Sequence, residues 1–593
     1  MARRRRGSGR ARAAGWLLSG VVLAGVLPSK APPPSSLPKL TVLIVVDQMR
    51  ADYLQRFRPY FGEKGFRRLE TEGRVFLQAR YFHAATLTAP GHALIGSGLY
   101  GDRSGIIGNR WYSYAEGEDV YCVSSRSAGL GAGECPPVAA KAAPAGTTLR
   151  KSPCAFDGTT LAERVKEKYP EARVVGVSIK DRSAILLAGK KADAAYWVEE
   201  KADRTGELAC SEYYPACRPD VLAYAAEEGF SERPSSPEAG VLFRRHPLWR
   251  EWSCSLPPPC DKACPEDVPD AHALEGGLGK SFPHPVKDAA TLLFTPYGNE
   301  FLEGLAERVV EAHDLGRNRR GAPDVLALGF SSIDYLGHLF GPDSCEAADA
   351  MKRMDATLAR LLDFLIKRLG RENLLVVVTA DHGVAPLPEV SLKMGVAAGR
   401  IELPAGVARE TGKVGDLPAL RQRMEFFLAG KLGEKIDAAT PLSEALVTAY
   451  FEPSLYLNRN RIGPAHLALA RSSLKEYLLR VEGIEAVYTA EEIEAGEAPE
   501  AVRLSFRSDR SGDLTIQLRP YWTASAPGGG ADHGQAHDYD ARVPLLFWGS
   551  RVTAGTEPRV VDMAQIAPTL ARILELEGSR FSRPSPLSVG ESP

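Results

Sequence analysis

The chain has 593 residues and a formal net charge of -1, with 44% hydrophobic and 25% charged residues. These fractions are typical of a soluble globular protein, and the balanced charge excludes a global field that would attract nucleic acid or an acidic membrane surface. The length exceeds one ordinary core but suits a large α/β domain with insertions. Specific binding must therefore come from a local site.

The first residues have the pattern of an export signal. A basic stretch, MARRRRGSGRAR, precedes an apolar run, AAGWLLSGVVLAGVL, which is too short to span a bilayer comfortably. Small residues before PPPSS place a cleavage point after Ala31. We predict a signal peptide over 1–31, a periplasmic or secreted protein, and no stable membrane association after cleavage. An uncleaved anchor is the alternative.

Cysteines are concentrated in one part of the chain. Eight of the nine lie between Cys122 and Cys264, a density expected of an exported protein with disulfide-stapled loops. A structural zinc cluster at Cys254, Cys260 and Cys264 is the alternative, but paired C-x-x-C spacing and a nearby histidine are missing there. The odd count leaves one thiol without a predicted partner.

Polar residues accompany four apolar, β-branched runs that predict buried strands. The runs are LTVLIVV, DVLALGF, NLLVVVT and VPLLFWGS. The first three run directly into polar residues, and the fourth follows the segment ADHGQAHDYD. The polar residues at these positions are Asp47, Asp334, His338, Asp381, His382 and His533.

Helical segments separate the predicted strands. The clearest is CEAADAMKRMDATLARLLDFLIKRL, which is apolar at helical spacing and ends before Gly370. Alternating strands and helices predict an α/β fold with a mainly parallel sheet and helices on both faces. In such sheets ligands bind at the carboxyl ends of the strands, where the polar residues lie.

Two stretches interrupt the alternation and are interpreted as insertions. Residues 191–288 are rich in proline, cysteine and tryptophan without a clear period, and we predict a cap near the active site. The second interruption, 399–523, contains two amphipathic helical runs and a strand-like DLTIQLRPYW. The core sheet is then assembled from three parts, which are 38–190, 289–398 and 524–580.

The three carboxylates and three imidazoles at the strands have the ligand chemistry of zinc. Six such ligands suffice for two open sites with three protein ligands each. The spacing D-x-x-x-H places Asp334 and His338 one helical turn apart, and the adjacent Asp381 and His382 can reach two neighbouring metals. Two close metals suit in-line displacement at phosphorus by water or by a side-chain hydroxyl.

The stretch HAATLTAPGHALIGSG offers the hydroxyls of Thr86 and Thr88. Pro90 suits the first turn of a helix, so Thr88 would lie at a helix N-terminus, where partial positive charge favours an alkoxide and a phosphate. Lys180 and Arg182 are two residues apart, and on an extended segment they would point to the same face. An ammonium and a forked guanidinium suit phosphoryl oxygens.

Seven motifs together resemble the alkaline phosphatase superfamily. In chain order they are VDQMR, TLTAPGH, GIIGNRWY, SIKDR, SSIDYLGHLFGP, TADHG and DHGQAHDYDARVPLLFWG. They are most similar to the periplasmic, threonine-nucleophile alkaline phosphatases of the PafA type, which are relatives of the nucleotide pyrophosphatase/phosphodiesterases. The motifs run from Asp47 to Gly549. The resemblance implies the three-layer, alkaline-phosphatase-like sandwich with inserted caps.

The resemblance also implies roles for individual residues. Two zinc ions per chain would be held by Asp47, Asp381 and His382 on the nucleophile side and by Asp334, His338 and His533 on the leaving-group side. Thr88, the threonine of T-x-P-x-H, would be the nucleophile and would also contact the first zinc. Asn109, Lys180 and Arg182 would hold the non-bridging phosphoryl oxygens.

These assignments predict an exported two-zinc alkaline phosphatase that hydrolyses small phosphate monoesters through a covalent phosphothreonine. A monoester presents three non-bridging oxygens to the three predicted side chains, whereas a diester presents two. A phosphodiesterase or nucleotide pyrophosphatase on the same metals is the nearest alternative. A sulfatase is disfavoured because TAPGH lacks the Cys or Ser and the Arg of C/S-x-P-x-R, and a silent scaffold is disfavoured because no ligand is missing. We expect no nucleic-acid partner and favour a monomer.

Other polar residues of these motifs are expected to have supporting roles. Thr86 is interpreted as a loop hydroxyl and His92 as a histidine that braces its helix. His83 is interpreted as a supporting residue as well, and His537 either as a residue that supports a ligand or as a surface loop residue. Asp532 is expected to orient the imidazole of the neighbouring His533.

Overall fold

The computed structural model describes most of the chain after residue 36. The described ranges are 37–126, 131–136, 149–230, 251–256, 278–279, 281–403, 406–407, 412–526, 528–576 and 585–590. They belong to one compact unit that begins at Ser36. The predicted signal peptide, 1–31, lies outside them. Within these ranges, no helix combines the length and the apolar character needed to cross a bilayer.

A nine-stranded sheet forms the centre of the molecule. From one edge to the other its strands are Gly555–Asp562, Arg74–Arg80, Leu545–Gly549, Leu374–Thr379, Leu40–Val46, Asp324–Phe330, Val174–Ser178, Ala194–Glu200 and Gly206–Cys210. Seven run in one direction, and Leu545–Gly549 and Gly206–Cys210 run opposite to their neighbours. The predicted mainly parallel α/β sheet is confirmed.

The middle of this sheet is apolar because it is covered on both faces. Every residue of Leu40–Val46 and of its two neighbours, Asp324–Phe330 and Leu374–Thr379, is buried. Continuous Val, Ile and Leu runs are typical of parallel strands that pack helices on each side. The burial explains why these strands lack the alternation of polar and apolar residues seen at a solvent-facing sheet.

Helices surround the sheet. Outside residues 399–523 they are Tyr53–Arg56, Phe66–Glu72, Thr88–Ser97, Gly101–Ser104, Leu161–Lys168, Asp181–Ala188, Pro219–Leu222, Tyr224–Glu227, Ala289–Leu293, Pro296–Ala312, Ser332–Phe340, Cys345–Leu369, Pro388–Lys393, Asp538–Ala541 and Ile566–Ile573. The longest confirms the helix predicted to end before Gly370. Its N-cap hydroxyl, on Ser344, accepts a hydrogen bond from Ala347 N at 3.1 Å, and Gly370 ends it with a φ of 81° that favours glycine.

The second predicted insertion contains its own antiparallel sheet. The strand order is Gly406–Val407, Val447–Phe451, Ser454–Leu457, Leu514–Leu518 and Ile484–Thr489. The accompanying helices are Ala419–Leu432, Arg459–Ile462, Pro464–Leu478, Ala490–Glu494 and Glu500–Leu504. A separate hydrophobic cluster, which includes Met424, Leu474 and Ile516, fills this part of the chain.

The stretch assigned to the first insertion begins within the central sheet. Ala194–Glu200 and Gly206–Cys210 are the last two strands at one edge, so the sheet continues past the boundary set at residue 191. The aromatic and β-branched residues of AAYWVEE explain this, because they suit a strand. Much of the remaining stretch, including 231–250 and 257–277, lies outside the described residues.

Pairs of short strands and two disulfides complete the fold. Paired short strands are Arg110–Ser113 with Glu118–Tyr121, Ser124–Arg126 with Leu149–Lys151, Glu251–Trp252 with His284–Pro285, and Gly399–Arg400 with Trp522–Thr523. Disulfides join Cys135 to Cys154 and Cys210 to Cys217, which confirms disulfide-stapled loops. Cys260 and Cys264, from the alternative zinc cluster, lie outside the described residues.

Candidate active site

Four adjacent parallel strands deliver polar residues to one edge of the central sheet. Asp47 directly follows Leu40–Val46. Asp381 lies two residues after the neighbouring strand, Leu374–Thr379, and Lys180 lies two residues after Val174–Ser178. Asp334 lies in the first turn of Ser332–Phe340, the helix after the remaining strand. The carboxyl ends of parallel strands meet at one edge, so residues far apart in sequence become neighbours.

His533 reaches the same edge from the opposite direction. It precedes Leu545–Gly549, which runs antiparallel to its neighbours. The start of an antiparallel strand lies where parallel strands end, so His533 arrives beside the other ligands. Reciprocal contacts fix the approach, because Ala531 N donates to His338 O at 2.9 Å and His338 Nδ1 lies 2.6 Å from Ala531 O.

The six predicted ligands form two groups of three. In each group the ligand atoms lie within 4.8 Å of one another. The groups are Asp47, Asp381 and His382, and Asp334, His338 and His533. They are direct neighbours, since the rings of His382 and His533 stack with centroids 3.6 Å apart. This grouping matches the one that the sequence resemblance implies.

The imidazoles are oriented as in metal sites. Each Nδ1 lies beside a backbone carbonyl oxygen: His338 beside Ala531 at 2.6 Å, His382 beside Gly383 at 2.9 Å and His533 beside Thr86 at 2.8 Å. A proton donated to that carbonyl leaves the lone pair on Nε2, the tautomer found when another group orients a metal-ligating histidine.

These Nε2 atoms face carboxylate oxygens. His382 Nε2 lies 3.5 Å from Asp47 Oδ1, and His533 Nε2 lies 3.5 Å from Asp334 Oδ1. Among the described residues, the buried atoms Asp47 Oδ1 and His382 Nε2 have no hydrogen-bond partner. Two acceptors that face each other in a buried site are satisfied by a cation between them. The residues therefore fit a pair of divalent metals of the borderline type.

The electrostatics of the site also favour added positive charge. Burial and the neighbouring Asp334 and Asp381 carboxylates raise the pKa of Asp47. Burial also opposes ionisation of Asp334, but the Lys180 ammonium holds the pKa of this carboxyl well below its ordinary value. Burial lowers the pKa of His382 to about 3. Burial opposes protonation of His338, but the Asp334 carboxylate raises its pKa to about 9. The repulsion that still raises the pKa of Asp47 indicates that Lys180 and His338 do not fully offset the neighbouring carboxylates.

Thr88 begins a helix that is packed against the first ligand group. The helix spans Thr88–Ser97, is buried throughout, and has Pro90 in its first turn, as predicted. His92 Nδ1 lies 2.8 Å from Thr88 O and 3.2 Å from Asp381 Oδ2. The histidine that was expected to brace its helix therefore also connects that helix to a ligand carboxylate.

Asn109 contacts the start of the same helix. Its Oδ1 accepts a hydrogen bond from Ala89 N at 2.9 Å. Because the carbonyl side of the amide is engaged there, the NH₂ group is the side that remains to donate. An amide donor beside the N-terminus of the Thr88 helix is a group of the type that holds an anionic oxygen.

Lys180 and Arg182 do not share an extended segment, contrary to the prediction. Lys180 has extended backbone angles, but Arg182 lies in the first turn of Asp181–Ala188. The strand ends at Ser178 because the chain must turn into that helix. Lys180 Nζ lies 2.7 Å from Asp47 Oδ2 and 2.5 Å from Asp334 Oδ2, so one ammonium connects both ligand groups.

Sequence reasoning missed Gln48, which also connects the two groups. Its Nε2 donates to Asp334 Oδ1 at 2.7 Å, and its backbone N donates to Asp381 Oδ1 at 3.2 Å. The residue has a φ of 67°, a conformation that costs a non-glycine residue free energy and is concentrated at functional sites. The motif VDQMR contained the signal, but only the fold shows what Gln48 contacts.

Two more residues missed from the sequence shape the site. Lys180 Nζ lies 5.1 Å from the ring centroid of Tyr335, so the aromatic face contacts the central ammonium. Gly91 allows the Thr88 helix to approach the first ligand group, because a Cβ there would lie 2.4 Å from Asp381 O. Neither role follows from residue type or spacing.

The supporting residues differ from expectation in one case. The Asp532 carboxylate accepts a hydrogen bond from His533 N at 2.9 Å, whereas the His533 imidazole is oriented by the Thr86 carbonyl. Thr86 Oγ1 donates to Gln535 O at 2.7 Å, as a structural loop hydroxyl does. His537 Nε2 lies 2.8 Å from Leu518 O, in the second insertion.

Comparison with known proteins identifies the family. The sequence pattern of the type I phosphodiesterase / nucleotide pyrophosphatase family matches residues 41–540. The chain belongs to this family. It is 30% identical to alkaline phosphatase PhoV of Synechococcus elongatus, with 93% of each chain covered, and 30% identical to a Myroides odoratus protein named calcium-transporting ATPase, with 91% and 92% covered.

A solved structure supports the same relationship. The crystal structure of wild-type alkaline phosphatase PafA matches this family member with a TM-score of 0.76 and 26% identity. The match covers 94% of this chain and 99% of the PafA chain. The alkaline-phosphatase-like α/β fold that the motifs implied is therefore confirmed.

Proposed function

We propose that the chain is an exported alkaline phosphatase that hydrolyses small phosphate monoesters with two zinc ions and a threonine nucleophile. The observation that carries the proposal is the pair of adjacent ligand groups, with Nε2 lone pairs facing buried carboxylates beside the N-terminus of the Thr88 helix. The full-length similarity to proteins named alkaline phosphatases supports it. The two disulfides support an oxidising compartment.

The ligand groups would hold the metals in the arrangement implied by the motifs. Asp47, Asp381 and His382 would hold the ion beside Thr88, and the other group would hold the second ion. When bound, the two ions lower the pKa of the nucleophile and stabilise the leaving oxygen. Zinc is favoured over harder ions because imidazole nitrogens make up half of the ligands.

The side chains around the metals have separate tasks. The Thr88 hydroxyl, in the first turn of its helix, attacks phosphorus, and the helix dipole stabilises negative charge at that point. The phosphoryl group moves to Thr88 as the bond to the leaving oxygen breaks, and water then releases phosphate. Because Asp47 and Asp334 contact Lys180, the ammonium lies between the ligand groups, where it would hold a phosphoryl oxygen.

Preference for monoesters depends on the three non-metal donors. The Asn109 amide, the Lys180 ammonium and the Arg182 guanidinium supply a donor for each non-bridging oxygen of a dianionic phosphoryl group. A diester has two such oxygens and a second organic group in place of the third. Donors aimed at developing charge contribute most in a site that excludes water.

Two threonine variants test the nucleophile. Thr88→Ala is expected to lose nearly all turnover of an aryl phosphate monoester, and Thr88→Ser to retain a substantial part of it. Thr86→Ala is the matched control. It removes only the bond from Oγ1 to Gln535 O and keeps the carbonyl that orients His533, so most activity should remain. Equal losses in Thr88→Ala and Thr86→Ala would show that the nucleophile has been assigned to the wrong hydroxyl.

Substrate and metal measurements test the rest of the proposal. The rates for an aryl phosphate monoester and the matching diester are compared on metal-loaded protein, and the monoester should be preferred. A large preference for the diester would identify a phosphodiesterase instead. Zinc analysis should give two ions per chain. A folded sample that binds no metal would instead identify a catalytically silent scaffold.

A further inference from the structure

The Arg182 side chain is partly buried beside an aspartate with which its guanidinium does not pair. Among the described residues, no carboxylate lies within ion-pair distance of this guanidinium. Its Nη1 lies 3.4 Å from the Tyr121 hydroxyl, and its Nε is buried without a hydrogen-bond partner. A buried cation normally has a counter-charge, and the preceding residue, Asp181, is the nearest candidate.

Asp181 is instead held by other groups. Its Oδ2 lies 2.6 Å from Lys151 Nζ, and its Oδ1 accepts hydrogen bonds from the Tyr121 hydroxyl at 2.5 Å and from Arg182 N at 2.6 Å. Burial opposes its ionisation, but the Lys151 ammonium and these hydrogen bonds lower the pKa of the carboxyl. The charge of Asp181 is therefore balanced by Lys151, and the Arg182 guanidinium is left available.

Tyr121 connects this arrangement to Asn109. It ends the hairpin formed by Arg110–Ser113 and Glu118–Tyr121. Cys122 N donates to Asn109 O at 3.1 Å, which closes the base of the hairpin. Lys151 Nζ also lies 4.4 Å from the Tyr121 ring centroid, so the ring is held on two sides. One hairpin thus contacts both Asn109 and Arg182, two of the proposed phosphoryl-binding residues.

We infer that Lys151, Asp181 and Tyr121 form a positioning group that keeps the Arg182 guanidinium free to bind the phosphoryl group. The inference rests on the proposed function. If Lys151 is removed, Asp181 becomes a buried carboxylate without its cation, and Arg182 is the nearest replacement. The guanidinium then pairs with Asp181 and is withdrawn from the substrate. Hydrolysis of phosphate monoesters should slow more than hydrolysis of diesters, because a diester has one fewer non-bridging oxygen to hold.

The test compares Lys151→Met, Asp181→Asn and the double variant, with Arg182→Ala as the reference. Lys151→Met should lower kcat/KM for an aryl phosphate monoester by about tenfold, because one transition-state donor is misdirected. Inhibition by inorganic phosphate should weaken in parallel, and the matching diester should change little. The double variant should recover most of the loss, because Asp181→Asn removes the charge that captures Arg182.

Two further variants keep the test decisive. Lys191→Met removes an exposed lysine that is paired with Glu167 on the surface, and it should leave both substrates unaffected. Tyr121→Phe retains the ring but removes the hydroxyl, so it should give a smaller, monoester-selective loss even if Lys151→Met does not fold.

Several results would overturn the inference. If the double variant is no better than Lys151→Met, or if monoester and diester rates fall equally in Lys151→Met and Tyr121→Phe, the three residues have only a structural role. Failure of the proposed function has a different signature. In that case Arg182→Ala itself leaves the ratio of monoester to diester hydrolysis unchanged.

Discussion

The central sheet and the sheet of the second insertion differ in strand direction and in the burial of their residues. Leu40–Val46, in the central sheet, is buried at every position, whereas Ile484–Thr489, in the insertion, includes partly buried and exposed residues. Parallel strands covered on both faces bring their carboxyl ends to one edge. All six candidate ligands lie at that edge, and none lies within 399–523.

The insertion contributes contacts rather than ligands. Ser505 Oγ accepts hydrogen bonds from Ala84 N at 2.8 Å and Ala85 N at 3.1 Å, next to the loop that leads to Thr88. Leu518 N donates to Gln535 Oε1 at 3.0 Å, close to His533. The central sheet thus carries the candidate ligands, while the insertion contacts the loops around them. Changes in the two regions should therefore separate activity from stability.

The largest effect is expected from loss of a ligand in the central sheet. Asp47→Asn should lower kcat/KM roughly 10³-fold or more, because a metal supplies several kcal/mol of transition-state stabilisation. The free energy of unfolding of metal-free protein should stay the same or rise, because the change removes a buried carboxylate whose pKa burial and its neighbours raise. Steady-state kinetics and urea unfolding measure the two quantities. An active Asp47→Asn enzyme would contradict the metal assignment.

The converse is expected in the insertion. Asp513 is fully buried, accepts hydrogen bonds from Leu457 N at 2.8 Å and Arg459 Nε at 3.0 Å, and also pairs with Arg471. Asp513→Ala should reduce the free energy of unfolding by about 3 kcal/mol, because it removes the fully buried carboxylate that Arg459 and Arg471 share. Where the protein remains folded, activity should fall less than tenfold. A loss of activity as large as that of Asp47→Asn would remove the distinction between the two regions.

A pair of glycine substitutions sharpens the comparison. Gly91→Ala places a Cβ 2.4 Å from Asp381 O, so the helix of Thr88 or the ligand loop must shift, and activity should fall about 10- to 100-fold. Gly430→Ala is the control in the insertion helix, where a Cβ meets nothing within 4 Å. It should raise the free energy of unfolding by up to about 1 kcal/mol and leave activity unchanged. Kinetics and thermal unfolding of both variants provide the check.

The smallest effect concerns acid stability. His83 is buried between Tyr81 and Tyr100, and burial lowers its pKa to about 3. The unfolded chain takes up a proton near pH 6.5, so the contribution of His83 is fully present above pH 6.5 and is lost as the pH falls towards 3. As the pH falls from 7.5 to 5.0, protonation of His83 in the unfolded chain should lower the free energy of unfolding by about 2 kcal/mol.

His83→Phe should remove this pH-dependent part of the free energy of unfolding, as measured by urea unfolding at pH 7.5 and 5.0. The wild-type protein and the variant share all other titrating groups, so their difference isolates His83. His466→Phe, which replaces an exposed histidine of the insertion, should leave the pH dependence as it is. An identical pH dependence in wild type and His83→Phe would show that His83 does not control acid stability.

Much of the fold was predictable from local pattern. Continuous β-branched runs predicted the buried strands, because a strand buried on both faces is apolar at every position. The apolar spacing of Cys345–Leu369 predicted its helix, because a helix buried on one side has apolar residues at helical spacing. The sequence pattern places Ala194–Glu200 in a cap, whereas it pairs with Val174–Ser178 and Gly206–Cys210 as the second-last strand of the sheet. The segment AAYWVEE has no clear period of its own, so its pairing partners decide its place.

The types of the candidate ligands, their order and the position of Thr88 at the start of a helix follow from local sequence, because residue chemistry and Pro90 are local properties. Which atoms face one another depends on how the chain folds. The Thr86 carbonyl orients His533, Gln48 bridges the two ligand groups, and Lys151 pairs with Asp181. The first two are hydrogen bonds between residues hundreds of positions apart, and all three depend on the distances that packing sets.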